Sequence, residues 1–297
     1  MSKLGKSGGW GRRFMILTPY LWLLAFFLAP FLIVLKISFS LPAVAMPPYT
    51  PTWDSLDAIL DHFRNISFEN YAFLFSDSLY VNSYLNSLKI AAVSTVITLL
   101  IGYPIAYGIA RSSRNWRGTL LMLVILPFWT SFLIRVYAWI GILKTEGLLN
   151  SFLLWIGIIS DPLQIQYTPL AVYIGIVYSY LPFMILPLYA NLEKQDLSLL
   201  EAASDLGARP ATVFARVTLP LSMPGIIAGS FLVFIPAVGE FVIPELLGGS
   251  STQMIGRTLW SEFFQNRDWP IASTVAVILL LVLVVPIVMF QRFANRD

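Results

Sequence analysis

Two charged side chains, Arg135 and Glu240, interrupt apolar sequence that is otherwise suited to a membrane interior. Arg135 occurs in LPFWTSFLIRVYAWIGIL and Glu240 in FIPAVGEFVIPELLGG. A charge inside a membrane costs about 2.5–3.5 kcal/mol or more, so it usually faces a partner, the interior of a helix bundle or a water-filled path. Glu240 therefore lines the path of a cationic solute, pairs with Arg135, or lies at the mouth of the path.

Aromatic side chains near these two charges extend the chemistry that the region supports. The face of an aromatic ring attracts an ammonium group by roughly 0.5–2 kcal/mol. The same side chains also form belts at membrane interfaces, so each one alone indicates little. Together with Arg135 and Glu240, the candidate residues of a substrate path are Trp129, Tyr137, Tyr178 and Tyr180.

Few residues are available for catalysis or metal binding. The chain has no cysteine and one histidine, His62, so a thiolate site and a histidine-based triad or metal site are excluded. The stretch SKLGKSGG at 2–9 contains GKS but lacks the first glycine and the preceding strand of a phosphate-binding loop. We expect a polar tail there, no catalytic or metal-ligating residue in the chain, and no nucleic-acid partner.

The composition predicts an all-α integral membrane protein. The chain is 57% hydrophobic and 12% charged, whereas a soluble globular domain carries about 25% charged residues. A transmembrane helix needs about 20 mostly apolar residues. Two shorter apolar stretches, 147–160 and 255–264, are expected at the membrane interface. The six predicted spans are roughly 15–39, 85–110, 119–143, 169–190, 218–242 and 271–291. They form one membrane domain, 15–291, between tails at 1–14 and 292–297.

Lysine and arginine orient the predicted spans. Twelve of these residues fall on the side of the termini and four on the other, and the side richer in them is cytoplasmic. Both termini and the loop 191–217 are therefore predicted to be cytoplasmic. The twelve are Lys3, Lys6, Arg12, Arg13, Arg111, Arg114, Arg117, Lys194, Arg209, Arg216, Arg292 and Arg296, and the four are Arg64, Lys144, Arg257 and Arg267.

Acidic residues concentrate on the predicted outer face. Ten acids against four bases make that face negative, so it attracts cations. The alternative is that lysine and arginine are merely depleted outside by the rule that orients the spans. The ten acids are Asp54, Asp57, Asp61, Glu69, Asp77, Glu146, Asp161, Glu245, Glu262 and Asp268.

The polar block 201–220, EAASDLGARPATVFARVTLP, predicts a helical hairpin within the cytoplasmic loop. Asp196 or Ser198 caps its first helix, and Ser198 also has the spacing of a capping box. Gly207 suits the left-handed position after a helix, and Pro210 suits the first position of a second helix. The hairpin either lies on the lipid headgroups or projects into the cytoplasm to bind a protein.

This block resembles the EAA motif of the permeases of ABC importers. Glu201-Ala202-Ala203, Gly207 and Val217-Thr218-Leu219-Pro220 match the motif without departure. The resemblance implies a type I ABC importer fold, in which the hairpin inserts into a cleft of an ATPase subunit and transmits its closure. The residues to which it assigns this coupling are Glu201, Ala202, Ala203, Asp205, Leu206, Gly207, Arg209, Leu219 and Pro220.

The chain from about residue 15 also resembles the polyamine branch of these permeases, most closely the putrescine permeases. SFENYAFLF at 67–75 and NRDWPIAS at 266–273 share this likeness with the stretches around Arg135 and Glu240. The resemblance implies a multi-pass protein of the bacterial inner membrane, paired with a sister permease, two ATPase copies and a periplasmic polyamine-binding protein. ATP and Mg²⁺ are then expected on the ATPase, with no cofactor in this chain.

Two other functions compete with polyamine transport. The first is a permease for another solute, such as an amino acid or a metal chelate, and the acidic outer face argues against it. The second is a polytopic membrane enzyme or channel, which leaves the hairpin unexplained. The sequence does not separate putrescine from spermidine as the cargo.

Overall fold

The computed structural model describes the backbone of residues 9–52 and 66–294 and the side chains of residues 14–52, 66–285, 287 and 288. Predictions for Lys3, Lys6, Asp54, Asp57, Asp61, His62, Arg64 and Arg296, and for the side chains of Arg12, Arg13 and Arg292, lie outside these residues. The regular secondary structure of the described residues is helical apart from a short antiparallel ribbon of β1 (Leu41–Pro42) and β2 (Tyr49–Thr50).

Most of the described helices are joined by short connections, with longer segments before Glu69 and before Pro169. In chain order they are α1 (Gly9–Leu23, continued by a π-helical turn, Leu24–Leu28, into Ala29–Ser38), α2 (Glu69–Ser76), α3 (Ser78–Arg111), α4 (Arg114–Ile125), α5 (Phe132–Leu143), α6 (Leu148–Trp155), α7 (Pro169–Leu192), α8 (Ser198–Asp205), α9 (Pro210–Val213, continued by a π-helical turn, Phe214–Thr218, into Leu219–Leu221), α10 (Met223–Val238), α11 (Val242–Leu247), α12 (Ile255–Trp260, followed by a π-helical turn, Ser261–Gln265) and α13 (Trp269–Ala294). Short 3₁₀ turns occur at Leu126–Trp129 and Ser250–Thr252.

The first of two compact units comprises Met1–Ser78 and Leu259–Asp297. Here α1 packs against α13, which comes from the other end of the chain. The backbone carbonyl of Ser38, at the end of α1, accepts hydrogen bonds from Nδ2 of Asn70 (2.9 Å) and Oγ1 of Thr274 (3.1 Å). Carbonyls at a helix end lack partners within the helix, so these side chains stabilise the junction.

The second unit, Leu79–Thr258, is organised around α7. Helix α10 makes the most extensive contact with α7, and α3 contributes to the same apolar core. Because these residues are remote in sequence, the core fixes how the three helices are rotated about their axes. Its buried members are Tyr103, Ala106, Ile109, Ala110, Met184, Ile185, Leu188, Leu192 and Val233.

Three helices among the described residues are long and apolar enough to cross a membrane on their own. They are Phe14–Ser38, Ser78–Arg111 and Pro169–Leu192, and they coincide with the first, second and fourth predicted spans. The sixth predicted span falls in α13, whose described apolar part is Trp269–Val285. Counting each of two bent helix pairs as one span brings the total to five.

The third predicted span, 119–143, is wrong as a single straight helix. The segments Arg114–Trp129 and Phe132–Trp155 meet at an angle of 89°. Thr130 between them has extended backbone, and its Oγ1 donates to the carbonyl oxygen of Pro127 at 2.7 Å. This hydrogen bond competes with helix continuation, because it offers the local backbone a partner outside the helical pattern.

The fifth predicted span, 218–242, is also shorter and more bent than the sequence indicates. Helix α10 ends at Val238, and α9 meets it at 63°. The motif residues Leu219 and Pro220 form the last turn of α9, directly before this bend. The hydroxyl of Ser222 at the bend donates to the carbonyl oxygen of Leu219 at 2.8 Å. The EAA motif therefore ends where the chain changes direction.

Candidate functional site

The first helix of the predicted hairpin, α8, begins after an acidic cap. Oδ1 of Asp196 accepts a hydrogen bond from the backbone N–H of Ser198 at 3.0 Å. The sequence left Asp196 and Ser198 as alternative caps, and in the structure the cap is Asp196. The hydrogen bond from Ser198 holds the pKa of the Asp196 carboxyl below its ordinary value. The start of a helix also stabilises a carboxylate, because the helix dipole is positive at this end.

The turn of the hairpin has the geometry that its sequence predicts. Gly207 has φ +80°, in the left-handed region. Its N–H donates to the carbonyl of Ser204 (2.9 Å), and the N–H of Ala208 donates to the carbonyl of Ala203 (3.1 Å). These two bonds form a Schellman motif, which satisfies carbonyls at the end of α8. Pro210 is the first residue of α9, as predicted.

The tip of the hairpin presents an apolar side chain among polar ones. Leu206 is 89% exposed, and Leu199 on the preceding turns is half exposed. An exposed leucine beside small and charged residues offers a surface that a protein partner can bury. The other exposed motif residues near the tip are Glu201, Ala202, Asp205 and Arg209.

Polar contacts join the base of the hairpin to the end of α3 and the start of α4. Nη1 of Arg117 lies 3.2 Å from Oε1 of Glu193. Nη2 of Arg111 donates to Oε1 of Gln195 at 3.4 Å, and Nε2 of Gln195 donates to the carbonyl of Thr218 at 3.4 Å. The hairpin is therefore tied to the end of α3 as well as to its own flanking helices.

Aromatic rings complete this base. The ring of Phe214, in α9, packs edge to face against Tyr103 (5.7 Å between centroids) and Tyr107 (6.2 Å) of α3. The hydroxyls of Tyr103 and Ser222 lie 3.0 Å apart in hydrogen-bond contact. Phe214 thus connects the second hairpin helix to two successive turns of α3.

Glu240 lies in a short loop between α10 and α11, residues 239–241, which we call the Glu240 loop. Its side chain is only 8% exposed. Oε2 accepts a hydrogen bond from the hydroxyl of Tyr180 at 2.5 Å. Oε1 accepts from the backbone N–H groups of Val242 (3.0 Å) and Ile243 (3.4 Å) at the start of α11. These donors occupy both carboxylate oxygens, and no cationic side chain among the described residues pairs with the group.

A row of rings extends from Glu240 across α7 to the broken third span. The ring of Tyr180 lies 6.1 Å from that of Phe183, which packs edge to face on Phe128 at 5.2 Å. At the far end, the guanidinium of Arg135 lies 4.8 Å from the centroid of Phe128. The row therefore has a carboxylate at one end and a cation at the other.

Of the three alternatives for Glu240, the structure does not show the ion pair with Arg135. No ion pair joins them in the part of the chain that the structure describes. Nε and Nη1 of Arg135 are buried without a hydrogen-bond partner, and its charge is placed over the rings of Phe128 and Phe132. The pair does not form because the row of rings lies between the two charges and because Glu240 is already bonded to other donors.

The remaining aromatic candidates do not gather around Glu240. Trp129 and Tyr137 are 73% and 58% exposed. Tyr178 instead packs on Trp139 (5.3 Å between centroids) and lines an apolar cavity of about 360 Å³. Tyr178 and Tyr180 are two residues apart on α7, which places them about 200° apart around the helix. Of the predicted aromatic set, Tyr180 is the residue whose hydrogen bond to Glu240 the structure shows.

Several acids of the predicted outer face have local structural partners. Glu245 forms an ion pair with Arg257 at 2.5 Å. Glu262 accepts from Nδ2 of Asn266, and Asp268 accepts from the backbone N–H of Ile271 at the start of α13. Burial and the neighbouring charge of Glu262 raise the pKa of the Asp268 carboxyl. These acids therefore stabilise local structure, whatever their effect on the electrostatic potential of the predicted outer face.

The hairpin and the Glu240 site both lie in a region that matches a known protein family. The model described as "Binding-protein-dependent transport system inner membrane component" matches residues 99–296, a range that contains the hairpin, Tyr180 and Glu240. The chain belongs to this family. The permease is thus a multi-pass transport subunit of an ABC importer and not an enzyme, as the EAA motif predicted.

Relatives similar over nearly the whole permease bear related names. The permease is 44% identical over 275 residues to the spermidine/putrescine transport system permease protein PotB of Haemophilus influenzae, covering 93% of this chain and 91% of the relative. It is 41% identical over 278 residues to the protein of the same name from Escherichia coli K12, covering 94% and 96%. The predicted resemblance to the polyamine branch is confirmed.

The fold also has a counterpart among solved structures. A chain from the crystal structure of a bacterial alginate ABC transporter, in complex with alginate pentasaccharide-bound periplasmic protein, superposes with a TM-score of 0.71. The match covers 97% of the permease and 94% of that chain at 19% identity. At this identity the likeness concerns the fold alone, and it confirms the predicted ABC importer permease architecture.

Three aromatic residues of these sites were not predicted from the sequence. Phe183 lies three residues after Tyr180, so helical spacing alone indicated that both share one face of α7. Phe128 and Phe214 carry no such signal, because their partners lie in other helices. Long-range packing was needed to find them.

Proposed function

We propose that the permease forms half of the membrane pathway of an ABC importer for polyamines such as putrescine and spermidine. The two PotB relatives support this cargo class, since each is similar over more than nine tenths of the permease. A permease for an amino acid or a metal chelate is the alternative. The proposal names the class of cargo and does not choose between its members.

The observation that carries the cargo class is the nearly buried carboxylate of Glu240. Among the described residues it has three hydrogen-bond donors and no cationic side chain. The ring of Tyr180 lies beside it, followed by that of Phe183 at 6.1 Å, and such rings attract an ammonium group through their faces. A charge inside a membrane protein usually faces a partner or a transport path, and an ammonium group supplies the missing positive charge.

The hairpin 191–217 is proposed as the contact with the ATPase. The exposed Leu206 and the small residue Ala202 allow close approach of a partner, while Glu201 and Arg209 keep the surface soluble. Two ATPase copies carry ATP and Mg²⁺ in this proposal, and a sister permease completes the pathway. A periplasmic polyamine-binding protein delivers the cargo, and the complex of the alginate transporter with its periplasmic protein supports such a partner.

The proposed topology has six spans, with both termini and the hairpin in the cytoplasm of a bacterium. The three single helices, the two bent pairs and the apolar part of α13 supply enough apolar helix for six crossings. The family description supports the inner membrane as the location. The distribution of lysine and arginine orients the spans.

A reconstituted complex tests the cargo. The permease, purified with its sister permease and ATPase, is placed in proteoliposomes and supplied with binding protein and ATP. We expect saturable, ATP-dependent uptake of labelled putrescine or spermidine, suppressed by unlabelled polyamine. Amino acids and metal chelates serve as competitors. If the complex instead takes up one of these solutes, and polyamines do not suppress that uptake, the solute and not a polyamine is the cargo.

Removing one hydroxyl tests the contact between Tyr180 and Glu240. Tyr180→Phe deletes only the donor to Oε2 and leaves the ring and the two backbone donors in place. A hydrogen bond to a charged group contributes about 1.5–3 kcal/mol, and the remaining donors retain part of it. We expect polyamine uptake to fall by about tenfold or less, through a higher KM. The matched control is Tyr178→Phe on the opposite side of α7, which should transport like the unsubstituted permease. Equal losses in the two variants would contradict a specific role for Tyr180.

A further inference from the structure

Helix α3 contacts both the base of the hairpin and the elements that hold the Glu240 loop. We infer that α3 carries motion between these two sites, with Phe214 and Ser87 as the positioning residues at its two ends. The inference rests on the proposed coupling role of the hairpin and the proposed path role of Glu240. It identifies the contacts through which one site acts on the other.

At the cytoplasmic end, α3 holds the hairpin through a ring and two polar groups. Phe214 packs edge to face on Tyr103 and Tyr107, one turn apart on α3. The hydroxyl of Tyr103 bonds to that of Ser222 at the bend between α9 and α10. Arg111, in the last turn of α3, donates to Gln195 on the other side of the hairpin. A displacement of α9, or of the segment that leads into α8, is therefore transmitted to this end of α3.

At the opposite end, α3 holds helix α12. Oγ of Ser87 accepts a hydrogen bond from the backbone N–H of Ile255 at 2.7 Å, and both residues are fully buried. One turn earlier, Oγ of Ser83 bonds to the hydroxyl of Thr258 at 3.2 Å. The N–H of Ile255 belongs to the first turn of α12, where donors lack partners within the helix. Ser87 therefore fixes where α12 begins.

Helix α12 in turn packs closely against the Glu240 loop. Gly256 packs against the carbonyl groups of Gly239 and Glu240, and a β-carbon at Gly256 would lie 2.7 Å from the Glu240 carbonyl oxygen. The ion pair between Arg257 and Glu245 further joins α12 to α11. Because the space at Gly256 is already filled, α12 cannot shift toward the loop without moving the Glu240 backbone.

The stretch of α3 between its two contacts is well suited to carry such a motion. It is an unbroken helix from Ser78 to Arg111, and Ser87 lies about 24 Å along the axis from Tyr103. Neither glycine nor proline occurs between Leu79 and Ile101, and the helix stays unbroken where Gly102 and Pro104 flank Tyr103. Kinks arise mainly at proline, glycine and local bulges, so the stretch up to Ile101 moves as one body and reaches the hairpin contacts through this continuous turn.

A fluorescent label on the outer turn tests the inference without reference to the cargo. The chain has no cysteine, so Ser251→Cys, in the exposed turn before α12, accepts a single environment-sensitive label before assembly with the ATPase. A non-hydrolysable ATP analogue should change the emission of this label. In Ser87→Ala and in Phe214→Leu we expect the change to shrink by about two- to thirtyfold, the range of measured couplings between distant sites. Phe214→Tyr keeps the ring and should retain the response.

The matched control is Thr98→Val, on the same helix. Thr98 is as fully buried as Ser87, but its hydroxyl bonds within α3, to the carbonyl of Ser94. Thr98→Val should leave the fluorescence response unchanged. The double variant Ser87→Ala with Phe214→Leu should respond about as much as the single variant with the smaller response, since both substitutions interrupt one route. Three results would each overturn the inference. They are no change in emission in the otherwise unsubstituted permease, an equal loss of the emission change in Thr98→Val, and a loss in the double variant equal to the product of the two single losses. If the label responds but polyamines are not transported, the cargo proposal fails and the role of α3 stands.

Discussion

Glu240→Gln should remove most polyamine uptake while the complex assembles and melts as before. The substitution deletes the negative charge but keeps the shape of the side chain. The glutamine oxygen can accept from the N–H groups of Val242 and Ile243, and its amide can donate to the oxygen of Tyr180. A hydrogen bond between charged groups contributes about 1.5–3 kcal/mol, which corresponds to roughly a 10- to 100-fold loss in uptake efficiency. Initial uptake rates in proteoliposomes measure this loss.

The control for Glu240→Gln is Glu245→Gln, another glutamate of the same region. Glu245 is partly exposed and pairs with Arg257, and exposed ion pairs contribute only about 0–1 kcal/mol. We expect uptake to change by less than about fivefold in this variant. Full uptake in Glu240→Gln would exclude the path role.

The double variant Glu240→Gln with Arg135→Gln tests the discarded ion pair. Breaking a buried pair typically costs about 3–5 kcal/mol, because it leaves one charge uncompensated. The structure has no such pair, so Glu240→Gln should not lower the melting temperature of the complex and Arg135→Gln should not restore it. A lowered melting temperature that the second substitution recovers would show that the two residues interact after all.

Gly207→Val should uncouple ATP hydrolysis from transport without preventing membrane insertion. Gly207 has φ +80°, a conformation that costs an L-residue roughly 1–2 kcal/mol and a β-branched residue more. No atom lies within 4 Å of a β-carbon placed there, so the backbone alone causes the strain. The turn relaxes by rotating α8 against α9, which moves Leu206 away from its proposed contact. We expect transport-stimulated hydrolysis to fall about tenfold or more, since 1.4 kcal/mol corresponds to a factor of ten.

Gly157→Val is a closely matched control for Gly207→Val. Gly157 has φ +72° and equally open surroundings, but it follows α6 on the predicted outer side. The same strain at that position should leave stimulated hydrolysis near the unsubstituted rate. Normal stimulation in a fully assembled Gly207→Val complex would refute the coupling role of the turn, and equal losses in both variants would indicate a general loss of stability.

Local rules predicted the hairpin correctly. The cap at Asp196, the left-handed Gly207 and the helix start at Pro210 each depend on residues within a few positions. Such interactions are formed by the chain segment itself, so residue type and spacing suffice to predict them. The apolar spans are predictable for a similar reason, because the length of an apolar run decides whether it can cross a membrane. The breaks at Thr130 and Ser222 were not predicted, since proline occurs in other helices of this chain, such as α7, that remain continuous.

By itself, the sequence determined the class of protein, the position of the unbroken apolar spans and the form of the hairpin, all of which follow from composition and short-range spacing. Only the tertiary structure decided that Glu240 bonds to Tyr180, that Arg135 lies over Phe128, and that Phe214 meets α3. These helices are apolar on most of their surface, so their sequences contain little polarity contrast to indicate which face meets which neighbour. Rotation of the helices about their axes is set by packing between residues 60 to more than 100 positions apart, as in the contacts of Tyr180 with Glu240 and of Tyr103 with Ser222. The roles of Glu240 and α3 therefore became apparent only once the helices were packed.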